Sequence, residues 1–149
     1  MPHIRTTIRE GIAAALAAAG TAAGSRVFNE RVQAVDAAEY PFIELSQVSE
    51  SQAVASFGGG IGSAHIEREL RINVHYTQKS ASGYYAAGDT AMALIESALA
   101  TAVIAGVKRI EPGSSLFDLE TDGDKLLYTI TQEFTVFYIT PQGDPAQSR

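Results

Sequence analysis

The sequence predicts an α+β fold: a two-layer sandwich of two helices packed on a mostly antiparallel β-sheet, with one long flexible hairpin. Three observations point there. Ile4, Ile8, Ile12 and Leu16 recur at helical spacing near the start, and Met92, Ile95, Leu99 and Val103 repeat that stripe in the middle. Between and after them run segments whose apolar residues alternate with period two. A chain of 149 residues has the size of one domain, read here as a core over 3–139 with 140–149 as a flexible tail. Nothing repeats with the period of a solenoid or propeller.

Taken in order, residues 3–19 form the first helix, with Arg5, Arg9 and Glu10 outside its apolar stripe and alanines between. Alanine is the best helix former and leaves a smooth surface for close packing. Gly20 and Gly24 mark the exit, because glycine tolerates the left-handed backbone that ends helices. Residues 3–24 loosely imitate a secretory leader, but Glu10 and the predominance of Ala over Leu favour a helix of the folded domain.

A short strand or irregular edge is expected over 26–35 and a better strand over 41–48, where Pro41 precedes Phe42, Ile43 and Leu45. From Ser49 to Ser63 the chain turns small and polar around Phe57 and ends in Gly58-Gly59-Gly60-Ile61-Gly62; this reads as a mobile hairpin tip. Ile66, Leu70, Ile72, Val74 and Tyr76 then alternate with polar residues, which predicts a strand with one packed and one wet face. Arg68 alone breaks the apolar row, and its stem is expected to carry the charge out to water.

Residues 78–88 read as a polar loop bearing Tyr84 and Tyr85, with Asp89 as N-cap of the second helix and Gly106 as its stop. Val107 to Ile110 extends again, Pro112-Gly113 turns, and Asp122-Gly123 signals a hairpin. The returning strand, 125–139, places Leu126, Tyr128, Ile130, Phe134, Val136 and Tyr138 on one face, and its end, with Phe137 and Ile139, is apolar on both. A strand end apolar on both sides is expected to be covered twice, the second time by another subunit.

Composition excludes several classes of function. Hydrophobic residues at 46% and charged residues at 19% describe a globular chain rather than a disordered or collagen-like one. No apolar run is long enough to span a bilayer, so no membrane partner is expected. A formal net charge of −6 provides no overall field for phosphate backbones, which disfavours nucleic-acid binding as the main activity. With no cysteine, disulfides, thiol nucleophiles and Cys-based zinc sites are out.

Individual motifs carry little chemistry. Asp118, Glu120 and Asp122 followed by Gly123 imitate the start of an EF-hand loop, but the twelfth position is Thr129, not Glu, and the flanks are strands, so a solvated hairpin turn is the better reading. The glycine run 58–60 lacks the Gly-Lys-Ser/Thr of a phosphate loop and precedes a strand. His3, His65 and His75 have no nucleophile elbow or His-Glu-x-x-His around them. We therefore expect no catalytic, cofactor-binding or metal site. Loop aromatics are enriched where proteins meet proteins, so Phe57, Gly58, Gly59, Gly60, Ile61, Tyr84 and Tyr85 are the candidate partner-binding residues.

The chain as a whole resembles the bacteriophage tail terminators, or tail completion proteins, of the lambda minor tail protein U type. The resemblance covers about residues 3–139 and rests on the order and spacing of weakly specific segments. These are the helix His3-Ile4-Arg5-Thr6-Thr7-Ile8-Arg9, Arg26-Val27-Phe28, Tyr40-Pro41-Phe42-Ile43, Glu67-Arg68-Glu69-Leu70-Arg71-Ile72-Asn73-Val74, the helix from Asp89 to Ala105, and the closing strand from Tyr128 to Val136. It implies a non-enzymatic virion protein, assembled in the host cytoplasm, whose homohexameric ring sits at the head-proximal end of the tail. Such a ring would cap the tail tube protein, stop its polymerisation and receive the head-tail connector protein. DNA would pass through the lumen without specific binding, past an acidic lining for which Glu111, Asp118, Glu120, Asp122 and Asp124 are the candidates. A neck or connector protein of the same fold stays open as an alternative, as does a small-ligand domain with an apolar cavity under its helices. A small hydrolase using His75 and a carboxylate is the remaining rival.

Overall fold

The computed structural model describes residues 3–30, 40–56, 64–80 and 82–146. The elements run α1 (Ile4–Ala17), β1 (Val27–Phe28), β2 (Phe42–Ser56), β3 (His65–Ser80), α2 (Tyr84–Thr101), β4 (Val107–Asp122) and β5 (Lys125–Pro141). The fold is α+β. Its five-stranded mixed sheet has the order β1-β2-β3-β5-β4; β1 runs parallel to β2 and every other pairing is antiparallel.

The stripe of α1 does what its spacing predicts: Ile4, Ile8, Ile12 and Leu16 are all buried. They join one hydrophobic cluster with Leu70, Ile72, Val74 and Tyr76 of β3, Tyr128, Ile130, Phe134, Val136 and Tyr138 of β5, and Ile95 and Leu99 of α2. Burying each such aliphatic side chain contributes about 1.5–3 kcal/mol, so this cluster, shared by both helices and one sheet face, positions everything else. His3 caps α1, its Nδ1 accepting the Arg5 backbone N–H at 3.1 Å. In α2, Gly88 lies so close to β5 that a Cβ there would stand 2.7 Å from both Ile130 Cδ1 and Tyr128 Cε1.

Several expectations are corrected. Ser49–Ser56 is not a hairpin tip but the second half of β2, paired with β3 from Ser49↔Arg71 to Ser56↔His65. Pairing to a strongly alternating neighbour holds these small polar residues extended despite their weak intrinsic preference. Of the short strand or irregular edge expected over 26–35, Val27–Phe28 is a strand, and residues 31–35 lie outside the described residues. The loop expected over 78–88 shrinks, because β3 continues to Ser80 and α2 starts at Tyr84. Gly83, at φ 71°, caps α2, and Asp89 lies inside the helix. That helix stops at Thr101, with Ala102 already extended, so Val103 leaves the stripe and is 99% exposed.

Pro112-Gly113 does not end a strand; β4 runs through it, and register shifts between Val107/Arg109 and Pro112/Ser115 absorb the extra residues. The hairpin signal holds: Asp122 pairs with Lys125 around Gly123 at φ 68°. The expected loose tail is fastened as far as Ala146. Thr140 is fully buried, the Gln142 N–H donates to Ala64 O at 3.0 Å, and the Ile4 N–H donates to Pro145 O at 3.1 Å.

Arg68 is corrected too. Its side chain does not reach water but is 9% exposed, with Nη1 3.3 Å from Glu50 Oε2 and Nε donating to Thr140 Oγ1 at 2.9 Å. The Tyr138 hydroxyl donates to Glu50 Oε1, and its pKa is raised, first by burial and then by that hydrogen bond. Arg5 Nη1 completes the cluster 3.8 Å from Glu50 Oε2.

Candidate interaction surface

Strand β4 is an edge of the sheet. From Glu111 to Thr121 every residue is exposed, so the strand carries a row of backbone donors and acceptors with no partner strand among the described residues. Such an edge is a template for another chain unless it is blunted. Its first half is blunted by two bulges, Pro112 and the charges Lys108, Arg109 and Glu111. Beyond the second bulge, from Ser115 to Asp122, the register against β5 is regular. Leu116 (71% exposed), Phe117 (62%) and Leu119 (44%) lie on this regular stretch.

The register sorts these side chains by face. Phe117 and Leu119 oppose Ile130 and Tyr128, whereas Leu116, Asp118 and Glu120 oppose Thr131, Thr129 and Leu127. Phe117 and Leu119 therefore share the face that carries the buried core. Phe117 stacks on Tyr128, with ring centroids 6.5 Å apart and planes 8° apart. Tyr84 and Tyr85 close over the same ring at 5.4 and 5.3 Å. Burial raises the Tyr128 phenol pKa, with the Asp89 carboxylate a smaller cause.

Tyr84 and Tyr85 are thus brought to one surface with β4, but they stand in the first turn of α2 rather than on a loop. Tyr84 is half-buried, while Tyr85, 60% exposed, adds to the patch made by Phe117 and Leu119. Contiguous apolar surface of this kind, rimmed by charge, is how protein interfaces are built. The alternation of β4 from Ser115 to Thr121 was the sequence signal for Phe117 and Leu119, and only knowledge that β4 is an edge turns it into a surface. Phe57, Gly58, Gly59, Gly60 and Ile61 lie outside the described residues.

Of the acidic set, Glu111, Asp118, Glu120 and Asp124 are exposed. Glu111, Asp118 and Glu120 lie on the sheet face turned away from the core, and Asp122 ends β4. That face also exposes Glu67, Glu69 and Arg71 of β3. Arg109 neutralises Glu111 at 2.8 Å and covers the Phe137 ring at 3.8 Å. A groove of about 260 Å³ between α2 and β4 is lined by Asp89, Glu96, Ser115, Phe117 and Gln132 among others.

His75 has two hydroxyl partners on the polar face, Ser46 Oγ at 3.0 Å from Nε2 and Thr131 Oγ1 at 2.8 Å from Nδ1. Burial lowers its pKa, against a smaller opposing effect of Glu44. A hydroxyl in the orienting position brings no charge to stabilise an imidazolium, so the arrangement cross-links β2, β3 and β5 and lacks the polarity of a catalytic triad. Among the described residues, no group of three or more His, Asp or Glu side chains could hold a metal ion. No helix there is long and apolar enough to cross a membrane.

No family model matches the chain and no curated protein matches it. Among solved structures it is similar to a chain of the "Virion of native gene transfer agent (GTA) particle", with a TM-score of 0.54 and 18% identity, over 92% of this chain and 99% of that one. At that identity the likeness shows a shared fold.

Proposed function

We propose that this chain is a non-enzymatic structural subunit of a phage-like virion. Within the virion it acts as a tail terminator: a ring, built from copies of this chain, that caps the tail tube, stops its growth and offers the docking surface for the head connector. The observation that carries the reading is the fold shared, over nearly the whole of both chains, with a component of the gene transfer agent virion. The exposed β4 edge and its aromatic patch support it, because a subunit that works by assembly needs a prepared contact rather than a reactive centre. The partners are further copies of the chain, the tube protein and the connector.

In such a ring the polar face of the sheet would line the channel. Asp118 and Glu120 on that face, with Asp122 and Asp124 at its hairpin end, would then give it the sign that repels a passing phosphate backbone, Glu111 being already paired with Arg109. Particles assembled without this chain decide the reading by electron microscopy. Tubes of uncontrolled length are expected for a terminator; headless tails of normal length would identify a connector instead.

A further inference from the structure

The sheet has two open ends. Strand β1 covers β2 only at Ile43 and Glu44, so the stretch Ser49–Val54, regular between the register shifts at Gln47/Ser49 and Val54/Ser56, has no strand on its outer side among the described residues. At the other end lies the regular, uncovered stretch Ser115–Asp122 of β4. At about 3.4 Å per residue, Ser49–Val54 offers roughly 20 Å and Ser115–Asp122 roughly 27 Å of backbone with no partner strand among the described residues.

We propose that these two edges pair with each other between copies. The segment Ser115–Thr121 of one subunit then forms an antiparallel ladder with Ser49–Val54 of the next. This names the contact inside the ring proposed above and rests on that reading for its closure.

Chain direction supports the pairing. The order β2-β3-β5-β4 is antiparallel throughout, so the outer edges of β2 and β4 run in opposite senses. A neighbour related by rotation about an axis along the strands therefore meets β4 with an antiparallel β2. That contact is heterologous, the kind that closes rings of more than two copies.

Side chains favour the same occupant. On the core face, β4 presents Phe117 and Leu119, and β2 presents Val54, 46% exposed and opposite Ile66, followed by Gln52 and by Glu50, whose carboxylate is already held by Arg68 and Tyr138. With Val54 set opposite Phe117, the apolar layer would cross the seam at that pair. Beside β4 on that face α2 exposes Asp89 and Glu96. Beside β2, α1 brings Arg9, paired with Glu30 at 3.1 Å, to Gln47, and Arg5 to Glu50, so the acids on that side are each matched by an arginine and set no unpaired negative charge against Asp89 and Glu96. The competing contact, β4 against a second β4, would set Asp118 and Glu120 of both copies along one seam with no basic residue between Ser115 and Asp122. Like charges directly across a ladder destabilise it.

The absence of native cysteine makes the test clean. Asp118→Cys is combined in turn with Ser49→Cys, Ser51→Cys and Ala53→Cys, all on the polar face by register, and oxidised in the full chain. At least one pair is expected to give a ladder of covalent oligomers on non-reducing gels that ends at the size of the ring, while the single variants stop at dimers. Phe117→Asp, at an exposed position, is expected to weaken self-association at least tenfold by light scattering with an unchanged circular dichroism spectrum. Rings that form but give no ladder with any pair, and that survive Phe117→Asp, would overturn edge pairing and leave the ring reading standing. A wild-type chain that stays monomeric up to about 1 mM would overturn edge pairing as well, and the tail-length experiment would still judge the terminator reading.

Discussion

Replacing Arg68 with Met tests the buried cluster that ties β2, β3 and β5 together. Arg68 and Glu50 side chains are 9% and 7% exposed, so their attraction is little screened, and removing one partner of such a pair costs about 3–5 kcal/mol. Here Glu50 keeps the Tyr138 hydroxyl, the Gln52 amide at 3.2 Å and Arg5 at 3.8 Å. The loss therefore falls at the lower end, about 3 kcal/mol. With a urea m-value of about 1–3 kcal/mol/M for a small domain, the midpoint should drop by roughly 1–3 M. In the double variant Arg68→Met/Glu50→Leu no buried charge is left unpaired, and the cost should be smaller than the sum of the two single losses. Urea unfolding followed by circular dichroism measures all three. A loss below about 1 kcal/mol for Arg68→Met is what an exposed ion pair gives and would refute the burial argument.

Other perturbations follow from close packing and titration. Gly88→Ala gains about 1 kcal/mol of helix propensity but drives a methyl to 2.7 Å from the Tyr128 ring, which three other aromatic rings pin in place. Overpacking costs about 1–3 kcal/mol, so the melting temperature should fall; a rise would mean the ring yields freely. His75 has a folded pKa held below the unfolded value by burial. As pH drops the unfolded chain protonates first, so this share of stability is complete above about pH 6.5 and is lost as pH falls toward the folded pKa. His75→Gln keeps hydrogen bonding to Ser46 and Thr131 and should flatten that part of the stability profile. Urea midpoints from pH 5 to 7.5 with identical slopes in both proteins would show that the imidazole does not titrate with folding.

How much of this was legible depended on whether a segment's own pattern or its neighbour's fixed it. The i, i+4 stripe of α1 and the alternation of β3 and β5 each specify an element and its buried face, and the core cluster follows them residue by residue. Ser49–Ser56 carries no such pattern, since serine, glutamine and alanine suit a loop equally well; its conformation comes from the β3 ladder. The start of α2 was hidden because Asp89 offers an N-cap signal that the helix does not use, while Gly83, with no capping side chain, begins it. Arg68 looked like a snorkelling residue only because its counter-ion lies 18 positions away on β2.

The interaction surface was half legible for a related reason. Tyr85 and Phe117 are each visible as aromatics outside the helical stripes, yet 32 positions separate them in sequence, and only packing about Tyr128 makes them one patch. What distinguishes β4 from β3 is not composition but position: both alternate, but β3 has a strand on each side and β4 has one. Edge or centre is a property of topology, fixed by contacts between segments far apart in the chain. That is why a periodic pattern can announce a strand without revealing that half of its backbone hydrogen-bonding groups have no partner strand among the described residues. On the regular stretch of the β4 edge, exposed Phe117 and Leu119 carry the apolar core face to the rim of the sheet, which is where the proposed pairing between copies would continue it.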